Sequence, residues 1–363
     1  MTSRHSATIV VVRLLALCVL VLTFTAAGAG TATRHLSIRV SGNRLVDAYG
    51  RTVRLLGVNR SSFEFSCSTG RGLYEGPSDA AAIAAMKAWR INVVRIPLNE
   101  ACWLGLPTVK PQYGGEPYRD AVTGFVQRLH AAGLYVFLDL HWNAPGSEPA
   151  DGQQYIPDAD HSPAFWTSLA ATFKSDPAVL FDAYNEPRTL SWPCWLDGCA
   201  APDGWLTAGM QTLVNAIRST GAKQPIMLGG IAGAIVLHGW LRWMPKDPAH
   251  SLVASFHTYN FAGYGCATSG CWNASVLPVA RKVPVVTGEM GEDDCGHGYV
   301  DQYMAWADAH RISYLGWTWN PWGCRTGIGM ISDWSGTPNA YGQGLHDHLA
   351  LLASARHRLP VGE

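Results

Sequence analysis

The chain has 363 residues and no formal net charge, and although only 15% of its residues are charged, it contains 15 Trp and 13 Tyr. A neutral chain of this composition gives no electrostatic reason to expect a nucleic acid or an anionic membrane as its partner. Its length permits two average domains but is also ordinary for one barrel domain. Its many aromatic rings suit a carbohydrate, because such rings stack on the apolar faces of sugars.

The first segment of the chain has the pattern of a secretory signal peptide. Basic residues precede an apolar run from Leu14 to Phe24, which is short for a membrane span, and small residues at 27–29 suit cleavage. We therefore predict a signal peptide at residues 1–29 and a single folded domain at residues 30–363. The protein is expected to be secreted and extracellular, with no membrane segment once the signal is removed.

The rest of the chain opens with a predicted β-hairpin and continues with alternating strands and helices. Leu36–Val40 and Arg44–Val46 flank a turn-forming Ser-Gly-Asn trio. The strands predicted after the hairpin are Val53–Val58, Asn92–Pro97, Tyr135–Leu140, Val179–Tyr184, Pro225–Leu228, Leu252–His257, Val283–Glu289 and Ser313–Trp317. The predicted helices are Asp79–Trp89, Tyr118–Ala132, Pro163–Lys174, Trp205–Ser219, a short helix within Ile235–Met244, Ala274–Arg281, Tyr299–His310 and Tyr341–Ala355.

This strict alternation is the signature of βαβ units and a parallel sheet. Eight such strands favour a closed (β/α)₈ TIM barrel, an α/β fold, over an open doubly wound sheet. No glycine-rich nucleotide-binding loop follows the first strand, which also argues against a dinucleotide-binding fold. No linker rich in Pro, Ser or Thr interrupts the chain, so one barrel domain is expected.

The cysteine pattern agrees with export. Cys18 lies in the predicted signal, and the remaining cysteines are even in number, which in an exported chain predicts disulfides. Zinc binding is the alternative, but no pair of histidines accompanies the cysteines that are close in sequence. The expected disulfides are Cys194–Cys199 and Cys266–Cys271, which are close in sequence, and, by exclusion, Cys67–Cys102 and Cys295–Cys324.

Active-site groups of a barrel lie at the C-terminal ends of its strands. Glu186 follows the fourth predicted strand and Glu289 ends the seventh, and these two strands face each other across a barrel mouth. Two carboxyl groups about 5 Å apart can cleave a glycosidic bond, one attacking the anomeric carbon and the other protonating the leaving oxygen. The other polar or aromatic residues at predicted strand ends are Arg95, His141, Trp142, Asn185, His257, Tyr259, Trp317 and Trp319.

With these residues in their order, the chain resembles glycoside hydrolase family 5, a family of retaining barrel enzymes. The resemblance spans about Leu36 to Ala355. It rests on an ordered set of motifs, of which Asn-Glu-Pro alone would be weak. The motifs are Leu55-Leu56-Gly57-Val58-Asn59, Val94-Arg95-Ile96-Pro97, Asp139-Leu140-His141-Trp142, Tyr184-Asn185-Glu186-Pro187, His257-Thr258-Tyr259, Gly288-Glu289 and Trp317-Thr318-Trp319-Asn320-Pro321.

The resemblance implies a role for each matching residue. Glu186 would be the acid/base and Glu289 the nucleophile, with Asn185 hydrogen-bonding the 2-hydroxyl of the cleaved sugar. Tyr259 would hydrogen-bond Glu289 and Arg95 would support the same carboxylate. Read singly, Arg95 is also compatible with a purely structural ion pair.

Further roles concern the sugar. His141 and His257 would contact sugar hydroxyls or the acid/base, although a lone histidine is also compatible with a core position. Trp319 would be the stacking platform, in preference to Trp317. Glu100 lacks a following proline and is not expected to be catalytic. The residues expected to shape distal sugar subsites are Glu100, Trp103, Glu64, Trp142, Trp272 and Trp322.

No metal and no cofactor are expected. Asp293 and Asp294 near His297 resemble a metal site, but the neighbouring Cys295 is better explained by a disulfide. The expected partner is a polysaccharide or oligosaccharide, and the protein is expected to be a monomer.

The catalytic set is shared across the family, so it does not choose a substrate. The His-Thr-Tyr and Trp-Asn-Pro segments lean toward cellulases, and a secreted endo-β-1,4-glucanase is therefore expected. A β-mannanase or another β-glycosidase is the alternative with the same chemistry. A catalytically silent carbohydrate-binding protein is the alternative of a different class, and the presence of both carboxylates argues against it.

Overall fold

The computed structural model of the protein describes residues 1–2, 36–261, 263–325 and 327–358. The predicted signal peptide lies almost wholly outside the described residues and stays a prediction. Within the described ranges, no helix has both the length and the apolar character needed to cross a membrane.

Within the described part of the chain, ten strands form a small hairpin and a closed barrel. They are β1 Arg39–Ser41, β2 Arg44–Val46, β3 Leu56–Asn59, β4 Val93–Asn99, β5 Tyr135–Trp142, β6 Val179–Asp182, β7 Ile226–Gly229, β8 Leu252–Tyr259, β9 Val285–Gly291 and β10 Ser313–Gly316. β1 and β2 pair antiparallel, with Ser41 opposite Arg44. β3 to β10 pair parallel in sequence order, and β10 returns to β3 to close the barrel. The predicted TIM barrel and its preceding hairpin are therefore confirmed.

Helices of varied length surround the barrel. They are α1 Ala80–Ala88, α2 Glu100–Leu104, α3 Glu116–Ala131, α4 Ser162–Phe173, α5 Trp192–Asp197, α6 Met210–Ser219, α7 Ile231–Ala234, α8 Ser269–Ser275, α9 Leu277–Ala280, α10 Gly298–Ala309 and α11 Ala340–Arg358. The prediction of a helix within residues 235–244 is wrong. The short α7 ends before it, and Gly239 has a φ of 100°, a value that a right-handed helix excludes. The one-turn helices α2 and α5 were not predicted, because they are too short to show a helical period.

Inside the barrel, the inward-facing side chains of the strands form an apolar layer with a polar layer above it. Val93 and Phe137 belong to an apolar cluster at the barrel floor, which Ile38, the residue before β1, also joins. Side chains alternate along a strand, so the next inward positions are Arg95 on β4 and Asp139 on β5, both fully buried. On these strands, the inward-facing side chains are therefore apolar at the barrel floor and charged at the next inward position toward the C-terminal mouth.

The structure contains the four disulfides that the sequence predicts. All of them lie on segments that follow the C-terminal ends of strands, the face on which a barrel carries its active site. They are Cys67–Cys102, Cys194–Cys199, Cys266–Cys271 and Cys295–Cys324.

Candidate active site

Arg95 connects side chains from several strands beneath the barrel mouth. Its Nε lies 2.8 Å from Asp182 Oδ2, and its Nη2 lies 3.0 Å from Asp139 Oδ2. Nη1 lies 2.8 Å from Glu289 Oε1, and Nη2 also donates to Asn185 Oδ1 over 2.8 Å. Three buried carboxylates thus share one cation, and burial raises the pKa of Asp182 to about 7 despite the attraction of Arg95.

Glu289, on β9, is kept in its ionised form by its surroundings. Oε1 accepts from Arg95, and Oε2 accepts a hydrogen bond of 2.5 Å from the hydroxyl of Tyr259. His257 Nδ1 lies 3.6 Å from Oε2. Burial alone would raise the pKa of Glu289, but the positive charges of His257, Arg95 and His141, together with the Tyr259 hydrogen bond, hold that pKa below its ordinary value.

Glu186 follows β6 and faces Glu289 across the mouth. Its side chain is 24% exposed, whereas that of Glu289 is 5% exposed. One carboxylate oxygen of Glu186, one of Glu289 and a ring nitrogen of His257 all lie within 4.8 Å of one another. His257 Nδ1 lies 3.0 Å from Glu186 Oε1. A Cβ on Gly288 would lie 2.8 Å from His257 Nε2, so glycine at this position lets the imidazole approach β9.

The amide of Asn185 is fixed from three sides. Its Oδ1 accepts from Arg95, while its Nδ2 donates to Gln153 Oε1 over 2.7 Å and lies 3.3 Å from His141 Nε2. Gln153 Nε2 in turn donates to the backbone carbonyl of Glu186 over 2.8 Å. Gln153 lies in the long loop between β5 and α4, and sequence reasoning missed it because no local motif marks a loop residue that reaches across to the next strand.

His141 is oriented by a carboxylate and covered by an indole. Its Nδ1 lies 2.6 Å from Asp139 Oδ2. Burial alone would lower the pKa of His141, but the charge and hydrogen bond of Asp139 raise it above its ordinary value. The ring of Trp317 stacks on that of His141 with centroids 5.4 Å apart and planes 13° apart. Trp317 is half-buried.

The choice of Trp319 as the stacking platform needs correction. Trp319 has 0% exposed surface, and its ring packs edge-on against Trp89 with centroids 4.8 Å apart. Its backbone N–H donates to the carbonyl of Asn59 over 2.8 Å. Trp317 therefore replaces Trp319 as the candidate platform.

Three of the expected subsite residues lie in the core instead. Trp103 is fully buried against Phe165, and Trp272 is fully buried against Tyr303. Glu100 has no exposed surface and accepts from the hydroxyl of a serine in α4. Helix packing buries all three, so the expectation that they contact distal sugars is wrong.

The remaining subsite candidates lie closer to the mouth. Trp142 and Trp322 are half-buried and both contact Phe65, with ring centroids 6.2 Å and 5.7 Å from it. Phe65 joins these two indoles and was not predicted, because it lies in a loop without periodic pattern. Glu64 is buried rather than exposed, and it accepts from the hydroxyl of Ser61 and, over 2.7 Å, from the backbone N–H of a neighbouring serine.

Comparisons with protein families and with curated proteins identify one matching family model and several related enzymes. The model described as Cellulase (glycosyl hydrolase family 5) matches residues 46–323. Endoglucanase E-5 of Thermobifida fusca is 24% identical over 81% of this chain and 57% of its own length, and endoglucanase MaCel5A of Microbulbifer sp. (strain ALW1) is 22% identical over 79% and 52%. This chain therefore spans little more than half the length of these two relatives. Mannan endo-1,4-beta-mannosidase of Streptomyces lividans is 23% identical over 84% of this chain and 73% of its own length.

Solved structures share the fold. A β-glucanase from Saccharophagus degradans, SdGluc5_26A, in complex with cellotetraose has a TM-score of 0.67 at 18% identity and covers 88% of this chain and 94% of its own. The catalytic domain of Thermobifida fusca endoglucanase Cel5A has a TM-score of 0.62 at 18% identity, covering 87% of this chain and 98% of its own. At this level of identity the comparison supports the barrel architecture.

Proposed function

Because this chain belongs to glycosyl hydrolase family 5, whose model covers residues 46–323, we propose that it is a retaining enzyme that cleaves internal bonds of a β-1,4-glucan. The observation that carries the proposal is the approach of Glu186 and Glu289, which bring one carboxylate oxygen each within 4.8 Å of the other. Retaining enzymes hold their carboxyl groups about 5–5.5 Å apart, whereas inverting enzymes hold them about 6.5–9.5 Å apart to admit a water.

The reaction proceeds in two steps. Glu289 attacks the anomeric carbon while the glycosidic bond breaks and Glu186 gives its proton to the leaving oxygen, which forms a covalent glycosyl ester and frees one end of the polymer. Glu186, now ionised, then takes a proton from a water whose oxygen attacks the anomeric carbon. Glu289 leaves as a carboxylate, and the released sugar has its original anomeric configuration.

The surroundings of the two carboxyl groups support this division of roles. A nucleophile must be ionised, and Glu289 has a lowered pKa because His257, Arg95 and Tyr259 outweigh the effect of its burial. An acid/base must exchange protons with the leaving group and with water, and Glu186 is the more exposed of the two carboxyl groups. His257 contacts the carboxyl group of Glu186 and orients it. The guanidinium of Arg95 holds Glu289 ionised and pairs with that carboxylate instead of Glu186.

The relatives support a glucan as the first candidate substrate and a mannan as the second. Two of the relatives reported above are named endoglucanases and one is named a mannan endo-1,4-beta-mannosidase. The half-buried ring of Trp317 lies over His141 at the mouth. This position favours the binding of a pyranose ring next to Glu186 and Glu289. A silent carbohydrate-binding protein would have no need of a carboxylate with the lowered pKa of Glu289.

A reducing-sugar assay on carboxymethylcellulose, lichenan, mannan and xylan tests the proposal, with Glu289→Gln as the isosteric inactive control. We expect the wild type to release sugar fastest from the glucans. Proton NMR should show that the newly formed chain end first has the β configuration. Faster release from mannan would favour the mannanase alternative. No release from any polymer, together with retained binding, would favour the silent binding protein.

Export is part of the proposal. The four disulfides support folding in an oxidising compartment. Intact-mass measurement of the protein recovered from culture medium tests it. The expected mass corresponds to a chain that begins at residue 30 and contains no free thiol.

A further inference from the structure

A second cluster of ionisable side chains lies outside the proposed catalytic residues. Glu100 begins α2, while Asp158, Asp160 and His161 end the loop between β5 and α4. His161 Nδ1 lies 3.9 Å from Glu100 Oε1, 3.8 Å from Asp158 Oδ1 and 3.9 Å from Asp160 Oδ1. The same nitrogen donates to the backbone carbonyl oxygen of Ala144 over 3.2 Å, so a cation bound through it would replace the proton of this hydrogen bond.

Glu100 leaves one oxygen without a hydrogen-bond partner. Its side chain has 0% exposed surface. Oε2 accepts from the hydroxyl of Ser162, which also lies 3.1 Å from Asp158 Oδ2. Oε1 points toward His161 and, among the described residues, accepts no hydrogen bond. A buried carboxylate oxygen in this state is costly unless a positive charge or a proton meets it.

We propose that Glu100, Asp158 and His161 bind one divalent transition-metal cation, with Mn²⁺ or Zn²⁺ as the fitting chemistry. One donor atom of each of the three residues lies within 4.8 Å of the other two. An ion with ligand distances of about 2.0–2.2 Å separates its donor atoms by about 3.3–3.6 Å in tetrahedral geometry. The imidazole nitrogen now lies 3.9 Å and 3.8 Å from the two carboxylate oxygens, so binding would draw these atoms slightly closer together. The imidazole nitrogen favours a first-row transition metal over Ca²⁺ or Mg²⁺, which prefer oxygen ligands alone.

The cation would fix a loop that reaches the catalytic residues. Asp158 and His161 lie at one end of the loop between β5 and α4, and Gln153 lies within it. Gln153 donates to the backbone carbonyl of Glu186 and accepts from Asn185. Binding of the ion to Glu100 would therefore connect this loop to α2 and restrict the segment that positions the acid/base.

A proton shared between the two carboxyl groups is the competing account of the cluster. Burial and the neighbouring Asp158 raise the pKa of Glu100 well above its ordinary value. Glu100→Gln separates the two accounts. A glutamine preserves the shape of the side chain and donates one hydrogen bond as a carboxylic acid would, but it is a much weaker ligand for a metal.

The experiment uses the mature protein after chelator treatment and involves no substrate, so its outcome is independent of the proposed activity. MnCl₂ and ZnCl₂ are titrated in separate calorimetric experiments, and melting temperatures are measured with and without each salt. We expect one ion per chain and a rise in melting temperature of about 5 °C at a hundredfold excess over Kd. Both effects should be lost in Glu100→Gln and His161→Ala, and kept in the control Asp293→Asn, which changes an exposed acid.

Two results would overturn the proposal. One is the absence of saturable binding of either cation to the wild type, in which case an unchanged stability of Glu100→Gln would identify the shared proton. The other is undiminished binding by both variants, which would place the ion elsewhere. If Glu100→Gln does not fold, His161→Ala provides the comparison, because His161 is partly exposed and changes no buried carboxylate.

Discussion

Arg95 binds Oε1 of Glu289 over 2.8 Å from a position in the barrel interior where its side chain has no exposed surface. The guanidinium of Arg95 is therefore fixed within the barrel interior, and it reaches from there to the carboxylate of Glu289 at the mouth. Tyr259 takes the other oxygen of Glu289. The charge state of this carboxylate, to which His257 and His141 also contribute, can therefore be tested through either of its two hydrogen-bond partners.

The first prediction concerns Tyr259→Phe, which removes a hydrogen bond to the ionised Glu289. Hydrogen bonds to charged groups contribute about 1.5–3 kcal/mol, so kcat/KM should fall about 10- to 100-fold. The pKa of Glu289 is lowered in the wild type, and losing this bond raises it. Since the ionised form is active, the acid limb of the pH profile of kcat/KM should move to higher pH.

Tyr303→Phe is the matched control for this change. Its hydroxyl is also buried but contacts Thr287 instead of a catalytic carboxylate. The control should lower the melting temperature without moving the pH profile. An acid limb that stays in place in Tyr259→Phe would contradict the role assigned to this hydroxyl.

The second prediction separates Glu186 from Glu289. Glu186→Ala should lose about 10²–10⁴-fold in activity on a polysaccharide. It should still form the glycosyl ester from an aryl glycoside with a good leaving group, and azide should then restore turnover. The product is expected to be the glycosyl azide of retained configuration, identified by NMR.

Glu289→Ala should behave in the opposite way. No ester can form, and any azide product should have inverted configuration. Full polysaccharide activity in Glu186→Ala would rule out Glu186 as the acid/base.

The third prediction concerns the two tryptophans after β10. Trp317→Ala should raise KM and lower kcat/KM while leaving the melting temperature nearly unchanged, because the ring is half-buried at the mouth. Trp319→Ala should instead lower the free energy of unfolding by about 3–5 kcal/mol, since it leaves a cavity beside Trp89. Thermal unfolding and steady-state kinetics of both variants test this prediction. A kinetic defect in Trp319→Ala together with a loss of stability in Trp317→Ala would restore Trp319 as the platform.

The fourth prediction concerns Gln153, which positions Asn185 and Glu186 through its side-chain amide. Gln153→Ala loses two hydrogen bonds, each contributing about 1 kcal/mol, so kcat should fall about tenfold or more. KM and the melting temperature should change little, because the residue lies in a half-buried loop. Gln154→Ala changes the neighbouring side chain and serves as the control. Equal kinetics for the two variants would show that Gln153 has no positioning role.

Much of the barrel could be predicted because local patterns determine it. Each βα unit repeats a short apolar strand and a helical stretch, and the polar residue that ends a strand necessarily points toward the mouth. Arg95 illustrates this, since it follows the alternation of β4 from Val93. Glu289 is an exception, because the alternation that starts at Val286 is shifted by an irregularity in the pairing of β9 with β8 just before Glu289. The cysteine pairs were predictable because proximity in sequence left few alternatives for the rest.

The errors arose where distant parts of the chain decide the environment of a side chain. Trp317 and Trp319 are two residues apart, and nothing local distinguishes them. The backbone N–H groups of both residues donate to barrel strands, and it is the packing of the Trp319 ring against Trp89, far away in the sequence, that places it in the core. Trp103 likewise looks like a rim residue until α4 is packed over it. Gln153 and Phe65 were missed for the same reason.

The placement of the disulfides means that the loops at the C-terminal face and the strands of the barrel are stabilised by different bonds. Every one of the four links segments at the C-terminal face, and the strand ladder of the barrel is closed by hydrogen bonds alone. A mild reductant should therefore loosen the rim loops before it unfolds the barrel. Circular dichroism should then report an intact fold while polymer hydrolysis declines, and small aryl glycosides, which need fewer loop contacts, should be the last substrates to be lost.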